Sequence, residues 1–196
     1  IHARARADRA RVSPGETIGV DVVVWNGGAR EIVVTAADLA LPSGWTSSGL
    51  GSAPYPIPPG ELETIEITVE VPESAEPSRP YFLASEPDGY LYRWPADPEV
   101  MGRPQTPPPI VARVEIVRDG SAPVEIERAA SYVGVERASG EYRVPLHVLP
   151  RMAVQVERRS MAWPTGETGA RTVSVRVSNL SAAGTEGELR LIPRAG

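Results

Sequence analysis

The sequence predicts an all-β sandwich in tandem repeat, with an incomplete second copy. Three observations carry that reading. Short β-branched segments alternate apolar and polar residues and are separated by Gly/Pro turns at regular spacing. No window of about 10–12 residues shows a helical stripe. The best segment, Val20-Asp21-Val22-Val23-Val24-Trp25-Asn26, returns as Val173-Ser174-Val175-Arg176-Val177-Ser178-Asn179. Its neighbours return with it. Pro14-Gly15-Glu16 is echoed by Pro164-Thr165-Gly166-Glu167, and Leu41-Pro42-Ser43-Gly44 by Ile192-Pro193-Arg194-Ala195-Gly196. The spacing is about 150 residues, well beyond the roughly 20–50 of a solenoid, so the copies read as domains. One unit is expected over 1–150, either as a single sandwich or as two packed sandwiches, 1–80 and 81–150. The beginning of a second copy is expected over 151–196.

Residues 2–12 read as a first strand, with the arginines of Arg4-Ala5-Arg6-Ala7 on the solvated face of an edge strand. Val12-Ser13-Pro14-Gly15-Glu16 is a turn, since proline fixes φ and glycine relaxes it. Thr17 to Trp25 alternates Ile18, Val20, Val22 and Val24 to one face. Trp25 falls out of phase with them and is expected to face a neighbouring domain. Asn26-Gly27-Gly28 is the strongest hairpin signal in the chain. The return strand, about 30–41, is weak at Thr35-Ala36-Ala37-Asp38, where a bulge is expected. Residues 42–60 are loop. Leu62 to Val71 alternates cleanly, placing Ile65, Ile67, Val69 and Val71 on the core face.

Tyr81-Phe82-Leu83 is expected to start another strand. Residues 84–109 then lose all periodicity and read as a long ordered loop over the sandwich, pinned by Tyr92 and Trp94. Ile110 to Val117 is a strand, Asp119-Gly120 a turn, and Val124–Arg128 and Ser131–Val135 two short strands. Ala138-Ser139-Gly140-Glu141 is a hairpin loop from which Tyr142 to Leu149 returns. Met152, Val154 and Val156 open the second copy.

Composition narrows the function. Twenty basic and 25 acidic residues give a net charge of −5, with no basic stripe for neutralising phosphates, so nucleic acid is not an expected partner. No run approaches the ~18 apolar residues of a membrane helix. The absence of cysteine excludes disulfides, thiolate catalysis and cysteine-ligated zinc. It does not assign the chain to the cytosol, because exported β domains need not carry disulfides, and a periplasmic or extracellular setting is expected. The chain starts at Ile1 rather than Met and reads as a piece of a longer protein.

Catalytic motifs are missing. His2 and His147 are the only histidines, and a zinc hydrolase site needs about three protein ligands plus a base. There is neither a Gly-x-Ser-x-Gly elbow nor a phosphate-cradling glycine loop. Glu61, Glu63, Glu66 and Glu70 read as a solvated strand face, and Asp88 and Asp97 are too few for a calcium loop. No catalytic, metal or cofactor residue is therefore assigned. The aromatics remain. Tyr90, Tyr92 and Trp94, with Trp45 and Tyr55, are candidates for a platform that stacks sugar rings; the competing reading is that they cap the open ends of the sandwich.

The pattern Pro-Gly-Glu, valine strand ending in Asn, Leu-Pro-Ser-Gly-Trp, Pro-Pro-Gly-Glu and Val-Glu-Val-Pro resembles the bacterial immunoglobulin-like module found beside carbohydrate-active enzymes such as α-galactosidases. The likeness runs from Ser13 to about Leu83 and resumes from Pro164. Arg79-Pro80-Tyr81-Phe82-Leu83, Gly89-Tyr90-Leu91-Tyr92, Pro107-Pro108-Pro109-Ile110 and Gly140-Glu141-Tyr142-Arg143-Val144-Pro145-Leu146 resemble the region after the catalytic domain in large bacterial PIG-L (LmbE-like) deacetylases. That resemblance implies an immunoglobulin-like accessory region of a zinc-dependent N-acetylglucosaminyl deacetylase. Its partners would be the catalytic domain of the same chain and carbohydrate. The family's His-Pro-Asp-Asp and His-x-x-His motifs are absent here, so zinc is expected only in a catalytic domain outside this piece. A glycan-binding or adhesion module of a cell-surface protein is the alternative.

Overall fold

Thirteen strands form among the residues described by a computed structural model, which are 1–95, 97–98, 100–103, 106–158, 166 and 169–192. In order they are β1 His2–Ala7, β2 Arg11–Val12, β3 Thr17–Trp25, β4 Ile32–Ala40, β5 Thr46–Ser48, β6 Tyr55–Ile57 and β7 Leu62–Glu70. A single 3-10 turn, Tyr81–Leu83, precedes β8 Val111–Val117, β9 Val124–Glu136, β10 Gly140–Pro145, β11 His147–Val148, β12 Met152–Val156 and β13 Val175–Asn179. No α-helix occurs among the described residues. Trp163, Pro164, Thr165, Glu167 and residues 193–196, expected to repeat first-copy features, lie outside them.

The order β5-β7-β3-β1-β9-β8-β4-β6 makes one sheet, and β9 curls it into a sandwich. Residues 124–129 of β9 pair antiparallel with β8, whereas 130–132 pair parallel with β1. The long strand therefore serves both layers. Alternation sets what lies between them. Ala3, Ala5 and Ala7 of β1, Val20, Val22 and Val24 of β3, and Ile65, Ile67 and Val69 of β7 point inward from one layer. Ile32 and Val34 of β4 and Ala112, Val114 and Ile116 of β8 meet them from the other. Each fully buried Val or Ile contributes about 1.5–3 kcal/mol relative to exposure, which makes this face the main source of stability.

Several expectations are corrected by the pairing. Residues 81–150 do not build a sandwich of their own, since β8 joins β4 and β9 joins β1. Val124–Arg128 and Ser131–Val135 are one continuous strand; Ala129 and Ala130 weaken the β-branched pattern without breaking the backbone. Strand β1 is not an edge. It lies between β3 and β9, with Arg4 and Arg6 outward and its alanines inward. Tyr81–Leu83 is a 3-10 turn rather than a strand. The register of β4 against β8 does shift between Val34 and Ala36, within the weak stretch of that strand.

Asn26-Gly27-Gly28 is a crossing between layers and not a hairpin, because β3 pairs with β1 and β7 while β4 pairs with β6 and β8. The asparagine supplies what a hairpin would have supplied with backbone. Its Nδ2 donates to the carbonyls of Arg30 at 2.8 Å and Ile57 at 2.9 Å, and its Oδ1 accepts from the Gly28 amide at 3.0 Å. Its backbone amide donates to Glu61 and its carbonyl accepts from Gly60. A buried polar residue is tolerated where every group is paired, and Asn26 is 0% exposed.

Where a second copy is expected, β12 and β13 form an antiparallel pair in which Val154 is opposite Val177, as Ala3 is opposite Val24 between β1 and β3. Its asparagine repeats the same device: Asn179 Nδ2 donates to the Ala183 carbonyl at 2.7 Å and Oδ1 accepts from the Ser181 amide at 3.1 Å.

Candidate functional site

Three of the expected platform residues lie together on the excursion between β7 and β8. A short bridge closes the turn from Asp88 to Leu91, with backbone bonds of 2.9 and 3.1 Å in both directions and Gly89 at φ +61°. The turn throws Tyr90 fully into solvent, and Tyr92 and Trp94 follow it half exposed. They are held from beneath by the 3-10 turn. Trp94 lies 5.8 Å from the Tyr81 ring, and Tyr92 meets Phe82 edge-on at 5.8 Å. Tyr81 and Phe82 meet each other edge-on at 5.6 Å, and the Tyr81 hydroxyl donates to the Arg103 carbonyl at 2.8 Å. Edge-to-face pairs of this kind contribute about 0.5–1.5 kcal/mol each beyond area burial. The loop is therefore ordered by its own aromatics.

Trp45 and Tyr55 do not join this group. Both are half-buried against the sandwich core, beside β5 and β6. Trp25 faces outward as its phase requires, at 47% exposure, with its indole N–H directed to the Gly60 carbonyl and its ring over Gly27.

A cleft with a volume of about 830 Å³ lies beside the aromatic turn. Tyr81, Phe82 and the run Pro107–Pro109 form one side, while Ala129–Ser131 of β9 and Leu146 form the floor. Proline has no amide to give a ladder, so a run of three becomes a wall instead of a strand; that run was the cleft's one available signal in the sequence. Arg79 and Arg143 stand at the cleft, each in an exposed ion pair, with Glu76 and Glu141 respectively. The 78–79 segment is anchored to β11 by Ser78, whose amide donates to the Val148 carbonyl and whose hydroxyl accepts from the Val148 amide. The Thr106 hydroxyl donates to the Arg79 carbonyl at 3.0 Å, tying together the two segments that form this side.

Among the described residues no group of three or more His, Asp or Glu side chains could hold a metal ion. His147 lines the cleft, whereas His2 lies on β1 beside Arg4. Asp88 is engaged by Arg93 at 3.2 Å. Glu66 and Glu70 are exposed on the outer face of β7 and Glu63 is half-buried. What the site offers is apolar area with a few hydrogen-bonding groups at its margin, which suits a binding surface.

No helix among the described residues is long and apolar enough to cross a membrane. No curated protein matches the chain. Residues 12–83, which hold β3 to β7 and the 3-10 turn, match the family described as NPCBM-associated, NEW3 domain of alpha-galactosidase.

Proposed function

We propose that this chain is a non-catalytic immunoglobulin-like accessory region of a carbohydrate-active enzyme. The match of residues 12–83 to an α-galactosidase-associated module is the observation that carries this. The sandwich around that segment agrees with a structural role. The finer reading follows the motif resemblance of residues 79–150. The enzyme served is a PIG-L-type, zinc-dependent N-acetylglucosaminyl deacetylase, and this region positions its catalytic domain or docks it on glycan. Zinc would be held by that catalytic domain and not by residues of this chain.

A second reading, a glycan-binding or adhesion module, is favoured by one observation: Tyr90, Tyr92 and Trp94 present exposed ring surface next to a cleft. One experiment separates positioning from glycan binding. The double variant Tyr92→Ala/Trp94→Ala removes two aromatic contacts worth together about 1–3 kcal/mol, leaving the core untouched. Under the positioning reading, neither the parent chain nor the variant is retained by N-acetylglucosamine polysaccharides in affinity electrophoresis. Retention of the parent that the variant loses, with circular dichroism unchanged, moves the assignment to the binding module.

A further inference from the structure

The two copies touch at a carboxylate. Glu16 ends the Pro14-Gly15-Glu16 turn of the first copy, and its side chain is 17% exposed. Its Oε2 accepts from the Ser13 amide of its own turn at 2.9 Å, and Arg9 approaches the same oxygen at 4.0 Å. Its Oε1 accepts from the amide of Ala182, in the second copy, at 2.6 Å. One side chain thus bonds both sides of the joint. Ser13, buried, donates its hydroxyl to the Leu180 carbonyl at 3.5 Å, and the Leu180 amide donates to Arg151 at 2.8 Å. Arg151 in turn reaches Glu73 at 2.8 Å, an exposed pair that contributes little by itself.

The second-copy side of this contact is the asparagine turn. Asn179 folds residues 180–183 by the same two bonds with which Asn26 folds residues 27–30. Leu180 and Ala182 lie on that turn, and both face the Ser13–Glu16 turn of the copy before it. Both halves of the joint are motifs of the repeat.

We propose that the Ser13–Glu16 turn is a docking socket for the asparagine turn of the following repeat, and that this contact sets the angle between consecutive units. The proposal is independent of which enzyme the region serves. It predicts that the joint holds through one charged acceptor. A neutral amide keeps one good acceptor oxygen and cannot satisfy Ala182 and Ser13 equally.

Acid gives a second handle. Burial pushes the Glu16 carboxyl up, but the amides of Ala182 and Ser13 and the charges of Arg9 and Arg151 outweigh it and hold the group below the ordinary carboxylate range. A depressed carboxyl contributes stability above its unfolded value, near pH 4.3, and loses it as pH falls through the folded value. The joint should therefore be closed at neutral pH and loosen in acid, as pH falls below the ordinary carboxylate range. Glu73, which holds Arg151, is the other carboxylate at the joint, and its neutral variant serves as the control.

The test uses the full chain. Hydrogen exchange at the Ala182 amide, corrected for intrinsic rate, is followed in the parent, Glu16→Gln, Glu16→Ala and Glu73→Gln, alongside small-angle scattering. Expected is a loss of Ala182 protection of roughly tenfold or more in Glu16→Ala and a smaller loss in Glu16→Gln, with a broader distribution of overall dimensions. Glu73→Gln should keep the acid transition of the parent. Should Glu16→Ala prove too unstable to purify, Glu16→Gln decides. Unchanged Ala182 protection and unchanged dimensions in Glu16→Gln and in any soluble Glu16→Ala would overturn the proposal.

Discussion

Replacing Asn26 by alanine isolates the contribution of the layer crossing. The side chain makes three hydrogen bonds in a position with no solvent access. The bond to Ile57 is buried, so its loss leaves a carbonyl without water and costs about 1–3 kcal/mol. The bonds to Arg30 and Gly28 lie nearer the surface, where water can replace them, and contribute about 0.5–1.5 kcal/mol each. The total is about 2–6 kcal/mol, centred near 4. For a cooperative unit of this size a loss of about 4 kcal/mol corresponds to a fall in Tm of roughly 8–16 °C. Asn26→Asp should do at least as much harm, because an oxygen then faces the Arg30 and Ile57 carbonyls. Asn179→Ala supplies the control, since it removes the same two local bonds at an exposed position and should cost less than about 1 kcal/mol. Urea titration at neutral pH measures all three. Equal losses for Asn26→Ala and Asn179→Ala, or a loss below about 1 kcal/mol for the first, would refute the assignment of burial as the deciding factor.

Gly15 sits at φ +83°, and a Cβ there would also press on the Glu73 carboxylate, so Gly15→Ala should cost about 1–2 kcal/mol in thermal melts. The Tyr142 ring lies across Gly134, its partner on β9, and Gly134→Val should displace it. The expected readout is loss of the near-ultraviolet signal of the Tyr132–Tyr142 pair, with global stability changed by less than about 1 kcal/mol. A fragment of residues 12–83 contains β3, β4 and β7 but lacks β1, β8 and β9, so half the inner faces are bare. It should show no cooperative unfolding transition, whereas residues 1–150 should.

Local pattern made the individual strands readable and left their neighbours hidden. Strands β3 and β7 announce themselves because alternating Val and Ile can bury only one face, and the structure fills that face as expected. Asn26 was visible as a turn residue. Whether it joins two strands of one layer or carries the chain to the other is decided by where β8 and β6 dock, far along the chain. The same limit hid the central place of β1. Its arginines look alike on an edge strand and on the outer face of an inner one, and only the parallel contact with β9 tells them apart. Tyr90, Tyr92 and Trp94 were legible as a group because they are neighbours in sequence. Their supports, Tyr81 and Phe82, read as strand residues, and the cleft depends on segments drawn from four separate parts of the chain.

The double membership of β9 has a consequence for how the protein is made. Arg128 donates to the carbonyl of Ala3 across a separation of 125 residues, and Ala130 pairs with Ala5. Of the strands in this sandwich, the earliest to leave a ribosome is therefore among the last to gain all its neighbours. At roughly 5–20 residues per second, β1 waits on the order of ten seconds for its second neighbour. Throughout that interval the inner faces of β3 and β7 have no opposite layer, and a ladder edge stands open beside β1. Arg4 and Arg6 on β1 and Glu66 and Glu70 on β7 cover the outer surface of that half-built layer with charge of both signs. Such charges discourage a nascent sheet from adding to another chain. Their value is greatest before the fold exists, which explains why they matter on strands that end up inside the sheet.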